Sequence, residues 1–407
     1  MTTLDRRSLL LAALAAPAAA RAQPERHPLL SAPWPEVVAA ARGQTVFWNA
    51  WGGDDRTNGF IAWANDRVSE RFGIRIRHVR LRDTAEAVAR VVAEKAAGRS
   101  EGGAVDLVWI NGPNFLAMKE AGLLFGPFVD LLPNARYIDT EGKPATVTDF
   151  TVPVEGLAAP WRMAQIVYVY DSATVKDPPR SIPAMLAWAR ANPGRLTHPT
   201  VRNFLGATFL KQALYELAPD PEVLATAATD TTFRPATAPL WDWYEAIRPH
   251  LWRRGQQFPE NGPAQRALMN DGEIDLMISF NPSEASTAIA NGQLPPSVRT
   301  YVLERGTIGN ASFVAIPFNA AHKAGAMVVA DFLLSPEAQA HGQDPRVMGT
   351  FTVLALHRLP PEERARFERL PRGVATLTDA ELGRPLPEPH PSWMTRIVAE
   401  WERRVTP

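Results

Sequence analysis

The segments 105–114 and 274–283 share a plan that suits the binding of a small polar molecule. In each, an apolar strand leads into a turn with Asn and Pro and then into a helix. Ligands of open α/β sheets bind outside the carboxyl ends of the strands, where free N–H groups at a helix start act as donors. We therefore expect both turns to face one ligand across a cleft, although such turns also simply begin helices. The candidate residues are Asn111, Gly112 and Asn114 in the first turn and Phe280 and Asn281 in the second.

The loop that follows the predicted strand 45–48 offers an aromatic ring beside two glycines. It begins at Asn49 and includes Trp51, which could stack on a ligand. Gly52 and Gly53 would let the backbone approach that ligand closely. Asp54 could balance a cation, although an acid ahead of a helix also complements the helix dipole. The alternative is a tight turn with Trp51 in the core.

Residue types that carry covalent or metal chemistry are scarce. The absence of cysteine excludes thiol nucleophiles, thiolate metal sites and cysteine-attached cofactors. None of the eight His has the H-E-x-x-H spacing of a zinc protease, and there is no G-x-S-x-G motif. We therefore expect a binding protein without a cofactor or metal. A secreted hydrolase with two carboxylates, or a soluble sensor on the same fold, stays open, because neither is marked by a fixed motif.

Strands alternate with helices along the chain, which predicts an α/β fold with mainly parallel sheets. The chain has 407 residues, enough for two domains, and 43 basic residues balance 43 acidic ones. With a formal net charge of +0 and no basic stripe, nucleic acid is not an expected partner. The spacing of Trp393, Ile397 and Trp401 predicts a C-terminal amphipathic helix.

The first 22 residues have the composition of an export signal. Arg6 and Arg7 precede a short apolar run, 9–20, and Ala20-Arg21-Ala22 has the form that a signal peptidase cuts. We therefore expect cleavage before Gln23 and a periplasmic protein, exported by the general or the twin-arginine route. Because no cysteine stands at the cut, no lipid anchor is expected.

Taken together, the chain resembles the bacterial extracellular solute-binding proteins that deliver small molecules to ABC importers. The likeness is carried by segments spread over most of the chain: FWNAWGG at 47–53, residues 105–123, PWRMAQ at 160–165, VYVYD at 167–171, NASFVAIP at 310–317 and ADFLLSPEAQ at 330–339. Within the family, it is most similar to an uncharacterised branch sometimes labelled thiamine-binding. The resemblance implies a thiamine-like or other small organic cation as ligand, inner-membrane ABC permease subunits as partners and a monomeric protein.

The resemblance also implies a type 2 periplasmic-binding fold, in which two α/β lobes are joined by a hinge and bind ligand in the cleft between them. The chain would cross between lobes near 158–165 and 310–317. This divides it into a signal peptide, 1–22, a first part of lobe 1, 23–160, lobe 2, 161–316, and a return to lobe 1 with C-terminal helices, 317–407.

Two further groups of site residues follow from the resemblance. Trp161, Arg162 and Gln165 lie at the first implied crossing, where polar side chains between apolar strands need partners that a cleft supplies. The alternative for Arg162 is an internal salt bridge. Asn203 and Phe204 belong to the segment RNFLG, 202–206, which resembles a ligand loop of the family.

Overall fold

The computed structural model describes residues 27–405, so the predicted export signal lies outside the described residues. The helices are α1 Trp34–Ala41, α2 Asp55–Phe72, α3 Ala85–Ala96, α4 Pro113–Glu120, α5 Ile182–Ala191, α6 Phe204–Leu217, α7 Asp230–Ile247, α8 Gly262–Asn270, α9 Glu284–Ala290, α10 Lys323–Leu333, α11 Pro336–Gln343, α12 Pro361–Glu368, α13 Asp379–Leu382 and α14 Pro391–Val405. The strands are β1 Thr45–Trp51, β2 Arg75–Leu81, β3 Leu107–Ile110, β4 Thr148–Asp149, β5 Val152–Pro153, β6 Ala158–Gln165, β7 Val167–Asp171, β8 Leu276–Ser279, β9 Val298–Tyr301 and β10 Gly309–Ala315.

The first lobe is built on a five-stranded sheet in the order β2-β1-β3-β10-β6. The pairs β1–β2 and β1–β3 are parallel, whereas β10 is antiparallel to both β3 and β6. Apolar residues of α1, α2 and α10 cover one face of this sheet, and those of α3 and α4 cover the other. With both faces buried, the central strands carry nearly continuous apolar runs.

The second lobe has a three-stranded sheet in the order β8-β7-β9, with both pairs antiparallel. The prediction of mainly parallel sheets is therefore wrong for this lobe. Successive residues of β7 point to opposite faces, so Tyr168 packs with α5, α6 and α7 while Val167 and Val169 pack with α8 and α9.

The chain passes from the sheet of the first lobe to that of the second and back again. It leaves the first sheet at Gln165, enters the second at Val167, and returns between Tyr301 and Gly309. The predicted boundary at 160/161 falls inside β6, which belongs to the first sheet throughout its length. The segment 317–407 also divides, because α10 packs on the first lobe while Trp393, Ile397 and Trp401 of α14 are buried in the second.

Local sequence explains several element boundaries near the cleft. The Asp54 side chain accepts a hydrogen bond from the backbone N–H of Thr57 and begins α2, and Ser335 begins α11 in the same way. β1 continues to Trp51, so the loop predicted from Asn49 begins only after Trp51.

Within residues 27–405, no helix is both long and apolar enough to cross a membrane.

Candidate ligand-binding cavity between the lobes

A cavity of about 470 Å³ lies where the two lobes meet. Its walls come from both lobes and from the two strands nearest the crossings. The first lobe contributes Trp51, Asp54, Arg56, Trp109, Asn111 and Asn114, the second contributes Asn203, Phe204, Arg266, Phe280, Asn281 and Glu284, and β6 and β10 contribute Arg162, Asn310 and Ser312. This volume is in the range of about 300–1,000 Å³ that small-molecule pockets occupy.

Nine of the residues predicted from the sequence line this cavity. They are Trp51, Asp54, Asn111, Asn114, Arg162, Asn203, Phe204, Phe280 and Asn281. The two Asn turns approach the same space from opposite lobes because each follows the carboxyl end of a strand that points toward the cleft.

The buried carboxyl group of Asp149 accepts hydrogen bonds from the first turn. Asn111 Nδ2 donates to Asp149 Oδ1 at 3.0 Å and to the carbonyl of Ala311 at 2.7 Å. The N–H of Gly112 donates to Asp149 Oδ2 at 2.5 Å. Burial raises the pKa of Asp149 to about 7, against the opposing effect of these hydrogen bonds.

The asparagines on the second lobe are partly committed to structure. Asn203 Oδ1 accepts from the N–H of Leu205 at 3.0 Å and begins α6, which leaves its amide nitrogen for a ligand. Asn281 Oδ1 accepts from the N–H of Ser283 at 3.0 Å. Asn281 Nδ2 donates to the carbonyl of Met348 at 2.8 Å, a residue of the first lobe's core, so Asn281 also joins the lobes.

The three predicted glycines do not line the cavity; they make room for neighbouring groups. A Cβ at Gly52 would lie 2.6 Å from Arg80 Cβ, and one at Gly53 would lie 2.5 Å from Trp51 Cζ2. Gly53 therefore accommodates the Trp51 ring rather than a ligand. Gly112 has a φ of +56°, and a Cβ there would lie 3.1 Å from Phe150 Cζ.

Asn49, Trp161 and Gln165 are also absent from the cavity wall, which corrects the prediction for each. Asn49 is buried in β1, where its Nδ2 donates to the carbonyl of Phe47 at 3.3 Å. Gln165 is buried with Nε2 bonded to Thr307 Oγ1 at 3.2 Å and to the carbonyl of Leu382 at 3.1 Å. These contacts satisfy the buried amides within the protein.

Trp161 belongs to the core of the first lobe. Its ring is 2% exposed and packs edge-on to Trp48 at 5.7 Å and to Trp109 at 5.3 Å, and parallel to Phe60 at 5.9 Å. The next residue, Arg162, lines the cavity, and its guanidinium contacts the Trp161 ring.

Two acids and two arginines of the cavity wall form a connected set of ion pairs that links the lobes. Asp54 Oδ1 lies 3.4 Å from Arg56 Nε, and Arg56 Nη2 lies 3.7 Å from Glu284 Oε1 on the second lobe. Glu284 also binds Arg266 Nη1 at 2.6 Å. Burial acts to raise the pKa of Asp54, but Arg56 and the hydrogen bonds from Thr57 outweigh it and hold that pKa below its usual range.

The guanidinium of Arg162 has no such partner. Its Cζ lies 4.2 Å from the ring centroid of Trp109 and 4.7 Å from that of Trp161, and its Nε donates to Ser312 Oγ at 3.3 Å. Among residues 27–405, no carboxylate oxygen lies within 4.0 Å of its nitrogens, so the internal salt bridge considered from the sequence does not form in this part of the chain. Burial lowers the pKa of Arg162 to about 10, with Asp54 opposing. The group still stays protonated at neutral pH.

The buried ion pair of Lys211 and Glu388 contacts residues of the cavity wall without lining the cavity itself. Lys211 Nζ lies 2.6 Å from Glu388 Oε2, and Asn310 Nδ2 donates to Glu388 Oε1 at 2.9 Å. The ammonium also lies 4.3 Å from the ring centroid of Phe150 and 4.7 Å from that of Phe204. Two cavity residues, Phe204 and Asn310, therefore depend on this pair for their position.

Arg56, Trp109, Arg266 and Glu284 also line the cavity but were not predicted from the sequence. Trp109 could have been found from Asn111, because residues two apart on a strand share a face. The arginines could not, since their pairing with acids is set by tertiary contacts. In the part of the chain that the structure describes, no three His, Cys, Asp or Glu side chains are grouped to hold a metal ion.

Comparison with known proteins identifies the family. A model described as bacterial extracellular solute-binding protein matches residues 62–354. The chain belongs to this family. As a solute-binding protein, it is similar to Protein YnjB of Escherichia coli strain K12, with 41% identity over 372 residues, which cover 91% of this chain and 93% of YnjB.

Solved structures of solute-binding proteins share the two-lobed fold. The substrate binding protein of an ABC transporter from Agrobacterium tumefaciens has a TM-score of 0.62 and 15% identity, covering 90% of this chain and 96% of its own. The periplasmic binding protein AfuA from Actinobacillus pleuropneumoniae, with fructose-6-phosphate bound, has a TM-score of 0.61 and 13% identity, covering 89% and 98% respectively. At these identities the likeness concerns the fold alone.

Proposed function

We propose that this protein is the periplasmic substrate-binding component of an ABC importer. It binds one small solute between its lobes and delivers that solute to permease subunits in the inner membrane. The observation that carries the proposal is a single cavity of about 470 Å³ with aromatic, amide and charged side chains contributed by both lobes. A solute that touches both lobes stabilises one arrangement of them, and a permease can recognise that arrangement.

The aromatic lining agrees with the expectation of a ligand that contains a flat ring. Trp51, Phe204 and Phe280 supply apolar ring surface at the cavity wall. A thiamine-like ligand would use such rings for stacking. The charged lining gives a cation less support, because the acids Asp54 and Glu284 are already paired with arginines and the third lining acid, Asp83, is exposed to solvent.

A hydrolase that uses two carboxylates is less well supported. Such an enzyme needs one carboxylic acid that keeps its proton near neutral pH. Asp149, whose pKa burial raises to about 7, does not line the cavity. Of the acids that do, Asp54 has its pKa shifted in the opposite direction and Glu284 is paired with Arg56 and Arg266, so both have the character of structural ion pairs.

Native mass spectrometry of freshly purified protein tests solute binding. We expect a mass increment that matches one small molecule per chain and disappears after unfolding and refolding. Purification of the tagged protein from detergent-solubilised cells tests the partner: a permease and its ATPase should be enriched. Turnover of the bound molecule into a product, or enrichment of neither subunit, would contradict the importer function.

Export is tested separately by the intact mass of the protein recovered from the periplasm. The mass should correspond to a chain that begins at Gln23. A periplasmic protein that retains Met1 would contradict cleavage of the signal.

A further inference from the structure

We propose that the solute carries an oxyanion, a carboxylate or a phosphate, that binds the guanidinium of Arg162. This inference rests on the proposed function and assigns the chemical class of its ligand. It differs from the expectation of a simple organic cation. A ring cation that also carries a carboxylate or a phosphate remains compatible with it.

The first step is the balance of charge among the arginines of the cavity. Arg56 and Arg266 are neutralised by Asp54 and Glu284. At the cavity edge, Arg202 pairs with Glu402 and Arg82 lies 3.9 Å from Glu86. Within residues 27–405, Arg162 is the lining arginine without a carboxylate within 4.0 Å, so it has no ion-pair partner; the remaining lining acid, Asp83, is exposed to solvent.

The second step is the number of donors that Arg162 leaves unused. A guanidinium has five N–H groups, and the protein engages the one on Nε through Ser312. The four N–H groups on Nη1 and Nη2 donate to no described residue. They have the fork geometry that binds a carboxylate or a phosphate through two parallel hydrogen bonds.

The third step is that the guanidinium is fixed in place before any solute arrives. The rings of Trp109 and Trp161 are nearly perpendicular, at 89°, and Arg162 contacts both. Trp161 is itself packed against Trp48 and Phe60, so it acts as a positioning residue. An arginine held in this way loses little side-chain entropy when it binds an anion.

A purely structural role for Arg162, as a cation resting on two indoles, is the competing explanation. It predicts that replacing Arg162 lowers the stability of the protein without changing which solute is bound. The two explanations therefore differ in the identity of the solute as well as in its affinity.

The test captures solutes from a deproteinised extract of bacterial cells. Solute-free protein is incubated with the extract and washed, and the retained molecules are identified by mass spectrometry in both ion modes. The variants are Arg162→Gln, Arg162→Lys and the control Arg90→Gln, an exposed arginine of α3 that does not line the cavity. Circular dichroism and the melting temperature establish that each variant is folded.

We expect the wild-type protein and Arg90→Gln to enrich the same carboxylate- or phosphate-bearing solute. Titration of that solute by calorimetry should show affinity reduced about 10- to 100-fold in Arg162→Gln, since hydrogen bonds to charged groups contribute about that much. Arg162→Lys should lose part of the affinity, because lysine keeps the positive charge but lacks the two parallel N–H donors of the guanidinium.

Three results would overturn the inference, and one of them also overturns the function. A wild-type solute without any anionic group refutes the oxyanion but leaves solute binding intact. So does an anionic solute that Arg162→Gln binds as tightly as the wild type. If the wild-type protein enriches no solute over a bead control, solute binding itself fails. Because the first result depends only on the wild type, a variant that does not fold leaves the inference testable.

Discussion

Replacing Lys211 by Met should destabilise the protein far more than an ordinary lysine substitution. The side chains of Lys211 and Glu388 are 0% and 1% exposed, and their charged atoms lie 2.6 Å apart. Met fills a similar volume, so the loss of stability is mainly electrostatic. The substitution leaves Glu388 buried with a single hydrogen bond, from Asn310 at 2.9 Å.

The expected cost follows from the fate of the Glu388 charge. Removing one partner of a buried pair costs about 3–5 kcal/mol, because the remaining charge is uncompensated. The double variant Lys211→Met/Glu388→Gln removes both charges, and the new amide oxygen can still accept from Asn310. We therefore expect the double variant to be more stable than Lys211→Met by about 1–3 kcal/mol.

The pH dependence of the stability of Lys211→Met provides a second test. Burial already raises the pKa of Glu388, and the loss of Lys211 raises it further. A carboxyl group with a raised pKa in the folded state contributes its stability at low pH and loses it as the pH rises through that pKa. The penalty of Lys211→Met should thus be small near pH 4 and grow toward pH 7, whereas the double variant should show no such growth.

Urea denaturation followed by circular dichroism measures these differences, compared at equal slope so that the midpoints report stability. The matched control is Lys176→Met, an exposed lysine of the second lobe. The reasoning is refuted if Lys211→Met stays within about 0.5 kcal/mol of this control, the usual range for surface substitutions. It is also refuted if the double variant is less stable than the single one.

Three further outcomes test the site and the fold. Trp51→Ala should weaken binding of the captured solute by about 0.5–2 kcal/mol in calorimetry with little change in melting temperature, whereas Trp161→Ala should cost about 3–5 kcal/mol of stability. Burial raises the folded-state pKa of Asp149 to about 7, so the stability of the wild type relative to Asp149→Asn should fall between about pH 4 and pH 7; a constant difference in urea melts would contradict this. Small-angle scattering should give a smaller radius of gyration with the captured solute, and an unchanged radius would indicate a preformed pocket.

Local patterns were enough to predict the two turns that meet in the cavity. Asn111 and Asn281 each follow an apolar strand and precede a helix, and the position of a ligand site at the carboxyl ends of strands does not depend on distant contacts. The helix start after Asp54 could be predicted for the same reason. The antiparallel second sheet was not, because strand direction depends on how long connections fold back.

The errors at Trp161 and Gln165 arose from treating a crossing segment as a loop. Residues 158–165 form a strand whose pairing with β10 shifts register at this point. Trp161 packs in the core of the first lobe, whereas the Arg162 guanidinium contacts the Trp161 ring and lines the cavity. On β10 the side chains alternate: Asn310 and Ser312 line the cavity, whereas Ala311 and Phe313 are buried in the core. On β6 alternation alone would not have been enough, because the consecutive residues Arg162, Met163 and Ala164 all line the cavity.

The charge of the cavity could not have been predicted from the sequence, because it depends on which acids and arginines pair in the folded protein. Whether Arg162 is available to a solute depends on where every nearby carboxylate is used. Glu284, the acid that neutralises Arg266, belongs to the second lobe but also lies 3.7 Å from Arg56 of the first. A pairing of this kind crosses more than 200 positions of the sequence, so composition gives a net charge of +0 for the chain and no information about the cavity. An unpaired guanidinium in a cavity thus follows from contacts between lobes, and this is the property on which the proposed ligand class depends.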